Sequence, residues 1–109
     1  MGRALLTEGS AWQEVAALLE DPHPPSRNRH FARFGGGRGE RVFRLYRLYR
    51  ALAQEAAELA ARPGASAELV RDNGCLWLKL RDPGLSYQRR SLVPPELAGF
   101  FRARLNSGR

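Results

Sequence analysis

Between positions 27 and 50 the chain carries Arg27, Arg29, Arg33, Arg38, Arg41, Arg44, Arg47 and Arg50 against a single acid, Glu40. A guanidinium stays charged at physiological pH and presents a planar fork of donors, so these residues can hold phosphate or carboxylate oxygens. The other residues balance in charge, which leaves this segment with the whole formal net charge of +7. Charge gathered so locally points to an anionic partner, nucleic acid or an acidic protein. All but one of the eighteen basic residues are arginine, a bias that also accompanies GC-rich coding. Simple solvation of a surface is therefore the competing reading for part of the set.

Residues suited to catalysis are sparse and scattered. His23 and His30 have no Cys, Asp or Glu at metal-ligand spacing, so no metal is expected. Cys75 follows a turn without a paired histidine and reads as a half-buried strand residue, not a nucleophile. Glu55 and Glu58 fall on the back half of a helix, where Glu58 and Arg62 have the spacing of an i, i+4 ion pair. Nucleophile, base and oxyanion donors do not assemble, and a non-catalytic binding protein without a cofactor is expected. Gly35, Gly37 and Gly39 lead into a helix whose first amides can hold an anion. No strand precedes them and no Lys-Ser/Thr follows, as a phosphate loop requires. The stretch from Arg33 to Gly39, Arg-Phe-Gly-Gly-Gly-Arg-Gly, instead resembles the Arg/Gly-rich boxes of RNA-binding proteins, where guanidinium and aromatic planes meet phosphates and bases.

The element that must position the arginines is a long helix over residues 40–62. Val42, Leu45, Tyr46, Tyr49, Leu52, Ala53, Ala56, Leu59 and Ala60 recur at steps of three and four and form one apolar stripe. Arg41, Arg44, Arg47 and Arg50 recur at steps of three, each turned about 60° back from the last, and fan over the opposite face. Ser10 with Gln13 three residues on is a capping box, predicting a first helix over 10–20 that Pro22 ends. Its Trp12 should pack on the stripe of the long helix. Residues 21–39 join the two as a loop rich in Pro, Gly and Arg, long for so small a chain and therefore either functional or mobile.

Pro63-Gly64 stops the long helix, and the period then changes to two. Asn73-Gly74 between strand-like runs is a two-residue hairpin turn, which places Leu69 opposite Leu78 and Ala67 opposite Leu80 on one face. Val70 opposite Trp77 and Glu68 opposite Lys79 occupy the other. Asp82-Pro83-Gly84 begins a second turn whose loop length is open. With Pro83-Gly84 central, Trp77 faces Arg90 and Leu80 faces Tyr87; a three-residue loop moves Tyr87 to the face of Trp77. Pro94-Pro95 opens a last helix with Leu97, Phe100, Phe101 and Leu105 as its apolar side. Val70, Trp77, Lys79 and Arg90 then form an outward patch of aromatic, aliphatic and cationic groups, the composition of a partner interface.

The expectation is a single α+β domain of two layers: helix, loop, long helix, three-stranded antiparallel meander, helix. From the long helix onward this order is similar to that of double-stranded-RNA-binding domains and of the Alu-RNA-binding subunits of the signal recognition particle. The likeness implies RNA as ligand. It departs from the former at Pro94-Pro95-Glu96, where those domains place a Lys-rich helix start. Absence of a leader or an apolar run long enough to span a bilayer suggests an intracellular protein, in cytoplasm or nucleoid or nucleus, with no membrane role. A hetero- or homo-oligomer is compatible with its size.

Overall fold

The computed structural model describes the backbone of residues 2–21 and 36–107 and the side chains of residues 11–21 and 39–106. The first helix, α1, spans Gly2–Leu19 and so begins well before the capping box. Ala4, Leu5, Leu6 and Glu8 are good helix formers and no proline precedes Ser10, so the helix propagates through Gly9, at a cost of about 1 kcal/mol relative to alanine, instead of starting afresh. At its end the amide of Glu20 donates to the Ala16 carbonyl at 3.1 Å, and that of Asp21 to Leu18 at 3.3 Å. The second helix, α2, spans Gly36–Ala61 and takes in glycines expected in the loop. The remainder of that expected loop lies outside the described residues.

The chain divides into two compact units, residues 1–50 and 51–109. Turns of α2 up to Arg50 belong with α1, and those from Ala51 with the sheet. In the first unit Ala11, Val15, Leu18, Leu19, Val42 and Tyr46 are buried. Trp12 meets Tyr49 edge-on, with ring centroids 5.2 Å apart at 89°, as the two apolar stripes predict. Phe43 lies tilted against Tyr46 at 5.7 Å.

In the second unit α2 ends where Gly64 takes φ of 82°, a backbone conformation that glycine adopts without steric cost. Strands β1 (Ser66–Asp72), β2 (Cys75–Asp82) and β3 (Tyr87–Val93) form an antiparallel meander. The first hairpin has the expected register, Leu69 opposite Leu78 and Val70 opposite Trp77. Asn73 and Gly74 both have positive φ, 54° and 77°, as a turn twisted to match its strands requires.

The second hairpin pairs differently from either expected register. Its loop is Pro83–Ser86: Pro83–Leu85 make a 3-10 turn and Ser86 closes it in the left-handed conformation. Trp77 consequently faces Leu92 instead of Arg90, and Leu80 faces Arg89 instead of Tyr87. The slip is by two residues, so every side chain keeps its face. Tyr87 lies on the side of Leu76, Leu78 and Leu80. A proline that needs no donor and presets φ starts the 3-10 turn at Pro83 itself, which makes it the first loop residue, not a central one.

One face of the sheet is core. Ala67, Leu76, Leu78, Leu80 and Val93 are buried with Leu52, Ala53, Ala56 and Leu59 from the end of α2. A 3-10 turn at Pro95–Leu97 leads into α3 (Ala98–Ser107), which lies against β1 and buries Phe100, Phe101 and Leu105. The molecule is thus α+β, with three helices and a three-stranded antiparallel sheet among the described residues. None of these helices is long and apolar enough to cross a membrane.

Candidate nucleic-acid interface

Along α2 the arginines at steps of three are exposed, and the residues between them are not uniformly so. Arg41, Arg44, Arg47 and Arg50 face solvent, while Val42 and Tyr46 in the same turns are buried. At 1.5 Å rise per residue the four span about 13–14 Å of helix, and their rotation spreads them over half its circumference. Arg44 lies 4.0 Å from Glu40 one turn back, a solvent-exposed contact of small energy that leaves the guanidinium accessible. Arg47 and Arg50 make no ion pair among the described residues. Leu48 is 53% exposed on the same side, a residue the apolar stripe correctly omits but whose place among the arginines periodicity alone did not bring out.

Arg38 belongs to the first turn of α2, and its side chain lies outside the described residues, as do Arg27, Arg29 and Arg33. The described part of the basic segment is therefore the helical one. It forms a rigid comb of cations, because the stripe behind it is buried.

The second predicted patch is on the outer face of the sheet. Val70, Trp77 and Lys79 are half-exposed and Arg90 exposed. The Arg90 guanidinium sits over the Trp77 ring, 4.3 Å from its centroid, although the two are diagonal and not directly paired. Leu92, 50% exposed, faces Trp77 directly and joins the patch. The two-residue slip of the hairpin explains why the alternation of the sequence did not pair it there.

A cleft of about 250 Å³ opens where α2 meets the second hairpin, with Leu59 and Leu85 as well as Glu55, Glu58, Arg62, Asp82 and Tyr87 in its lining. Four of its polar groups, Glu55, Arg62, Asp82 and Tyr87, are engaged in hydrogen bonds. The Tyr87 hydroxyl donates to Glu55 Oε2, and Arg89 Nη1 donates to Glu55 Oε1 at 3.3 Å. Arg62 Nη1 donates to Oδ2 of buried Asp82 at 2.6 Å. Arg62 thus turns away from Glu58, its expected helix partner, because a buried carboxylate gains more from a cation than a solvated one does. The hydrogen bond to the Glu55 carboxylate, followed by burial, raises the Tyr87 pKa, so the phenol stays protonated further into the alkaline range. The cluster ties the hairpin to the helix end.

Cys75 is exposed, not half-buried, since it is the first residue of β2 beside the turn. Among the described residues no three His, Cys, Asp or Glu side chains come together as a metal site needs. His23 and His30 lie outside them.

Compared with known proteins, the chain matches no family model, no curated protein and no solved structure. The likeness to double-stranded-RNA-binding domains rests on element order alone, and fold order does not carry function. The reading therefore rests on the chemistry of the exposed residues.

Proposed function

We propose that this chain is a small non-catalytic nucleic-acid-binding module of the cell interior, with RNA as its ligand and the arginine face of α2 as its contact surface. The observation that carries the reading is the exposure of Arg41, Arg44, Arg47 and Arg50 on a helix whose opposite stripe is buried. Cations held on a rigid element lose less freedom on binding than cations on a loop, and each neutralised phosphate releases condensed counterions. Such contacts position a strand without reading its sequence. Arg27, Arg29, Arg33 and Arg38 extend the same charge and would wrap the ligand further.

A second reading is favoured by Leu48. An exposed leucine among arginines suits a protein surface, so the module would be a subunit docking its Arg-rich segment on an acidic partner.

Filter-binding titration of the Arg44→Glu, Arg47→Glu double variant against random-sequence RNA tests the proposal. Both side chains are exposed, so the circular dichroism spectrum should be unchanged while affinity falls by at least about tenfold. A folded variant that binds RNA as the parent does would refute the proposal. Binding of an acidic polypeptide such as polyglutamate that is lost in a Leu48→Ser variant, with the arginines intact and RNA binding unaffected, would favour the protein-surface reading.

A further inference from the structure

The strand registers arrange the outer face of the sheet in three rows across all three strands. Val70, Trp77 and Leu92 form the first; Glu68, Lys79 and Arg90 the second; Ser66, Arg81 and Gln88 the third. With strands about 4.8 Å apart each row is roughly 10 Å long, and rows on one face lie roughly 7 Å apart. The first row is aliphatic and aromatic and at least half-exposed at Leu92. The next two hold Lys79, Arg81 and Arg90 against Glu68, and neither Lys79 nor Arg81 makes an ion pair among the described residues.

We infer that this face docks an acidic amphipathic helix of a protein partner, laid across the strands along the row Val70, Trp77, Leu92. Two helical turns rise about 10.8 Å, so apolar residues at i, i+3 or i+4, and i+7 match the length of the row. Carboxylates on the flank of that helix would lie over Lys79, Arg81 and Arg90. A second copy laid face to face suits the charge less well, because the rows hold three cations, Lys79, Arg81 and Arg90, against the single acid Glu68. Nucleobases suit the face less well, because Trp77 is its single ring, Arg90 already covers one side of that ring, and Val70 and Leu92 offer no π-face. The inference does not depend on the arginine face of α2, and either can fail alone.

Trp12 and Trp77 are the two tryptophans, so a Trp12→Phe variant reports on Trp77 alone. Phenylalanine keeps a ring against Tyr49. The probe is a synthetic helical peptide of Leu and Glu with a continuous leucine stripe. A same-composition peptide with the stripe scrambled and a single-stranded oligouridylate accompany it. The striped peptide should blue-shift Trp77 emission and cut its acrylamide quenching at least about threefold, whereas the scrambled peptide and the RNA should do neither. Leu92→Asp should abolish the protection and Arg90→Glu should weaken peptide binding at least about fivefold; because both residues are exposed, two independent folded variants are available.

Four results would overturn the inference. Equal protection by the scrambled peptide would mean charge alone. Protection by oligouridylate and not by the peptide would mean a base-stacking platform. Failure of the striped peptide at millimolar concentration would mean the face docks no such helix. Concentration-dependent dimerisation with Trp77 already shielded would mean a second copy occupies it.

Discussion

Two tyrosines illustrate opposite treatments of the same hydroxyl. Tyr46 is 3% exposed and its hydroxyl has no hydrogen-bond partner among the described residues. A buried unsatisfied hydroxyl costs about 1–3 kcal/mol. Tyr46→Phe removes the polar atom and keeps the ring, so it should raise stability by about 1 kcal/mol, a rise in Tm of roughly 4 °C by calorimetry. A fall in Tm would show that the hydroxyl has a partner in the native molecule. The Tyr87 hydroxyl, in contrast, donates to Glu55, and its pKa is raised above the usual value of 10.0. A folded-state pKa raised above the unfolded one contributes stability that is complete below about pH 10 and lost as pH rises through the folded value. The parent should therefore lose stability above pH 10 more steeply than Tyr87→Phe, measured as urea midpoints from pH 8 to 11. Parallel curves would place the bond outside the stability of the fold.

The first hairpin is the element most sharply specified by its own residues. Gly74 adopts φ of 77°, and although a Cβ there would meet no neighbour within 4 Å, the conformation itself disfavours a side chain. Gly74→Val should cost about 1 kcal/mol or more, because a β-branched residue resists positive φ. An unchanged thermal melt would mean the strands do not need this turn. The second hairpin is specified less locally. Pro83-Gly84 marks a turn without fixing where the loop ends, since several loop lengths accommodate the same pair. Helix boundaries show the same limit: Ser10 carries a start signal, yet α1 runs through it, because a cap residue matters only where the helix has no better upstream extension.

At the scale of the molecule, the formal charge of +7 concentrated in one segment implies strong salt dependence of any polyanion binding. If each of the four arginines exposed on α2 neutralises one phosphate of single-stranded RNA, log K should fall against log salt with a slope of roughly −3. A steeper slope would bring residues 27–38 into contact as well. A slope near zero would contradict an electrostatic interface altogether. The sheet face, if it docks an acidic helix over an apolar row, should be less salt-sensitive, so the two surfaces are separable by ionic strength.

Properties that depend on near neighbours were legible in the chain itself: the apolar stripe and the arginine fan of α2, the alternation of the strands, and the Asn73-Gly74 register. Periodicity and turn chemistry act over a few residues and need no knowledge of the rest of the fold. Three features needed the tertiary structure. The pairing of Leu92 with Trp77 follows from the loop that the chain adopts at Pro83–Ser86. The choice of Arg62 for Asp82 over Glu58, and of Glu55 for Tyr87, joins residues 20 and 32 apart in sequence. Burial decides the first of those choices, because only the folded molecule makes the Asp82 carboxylate inaccessible to water, so that a charged partner is worth more there than at Glu58.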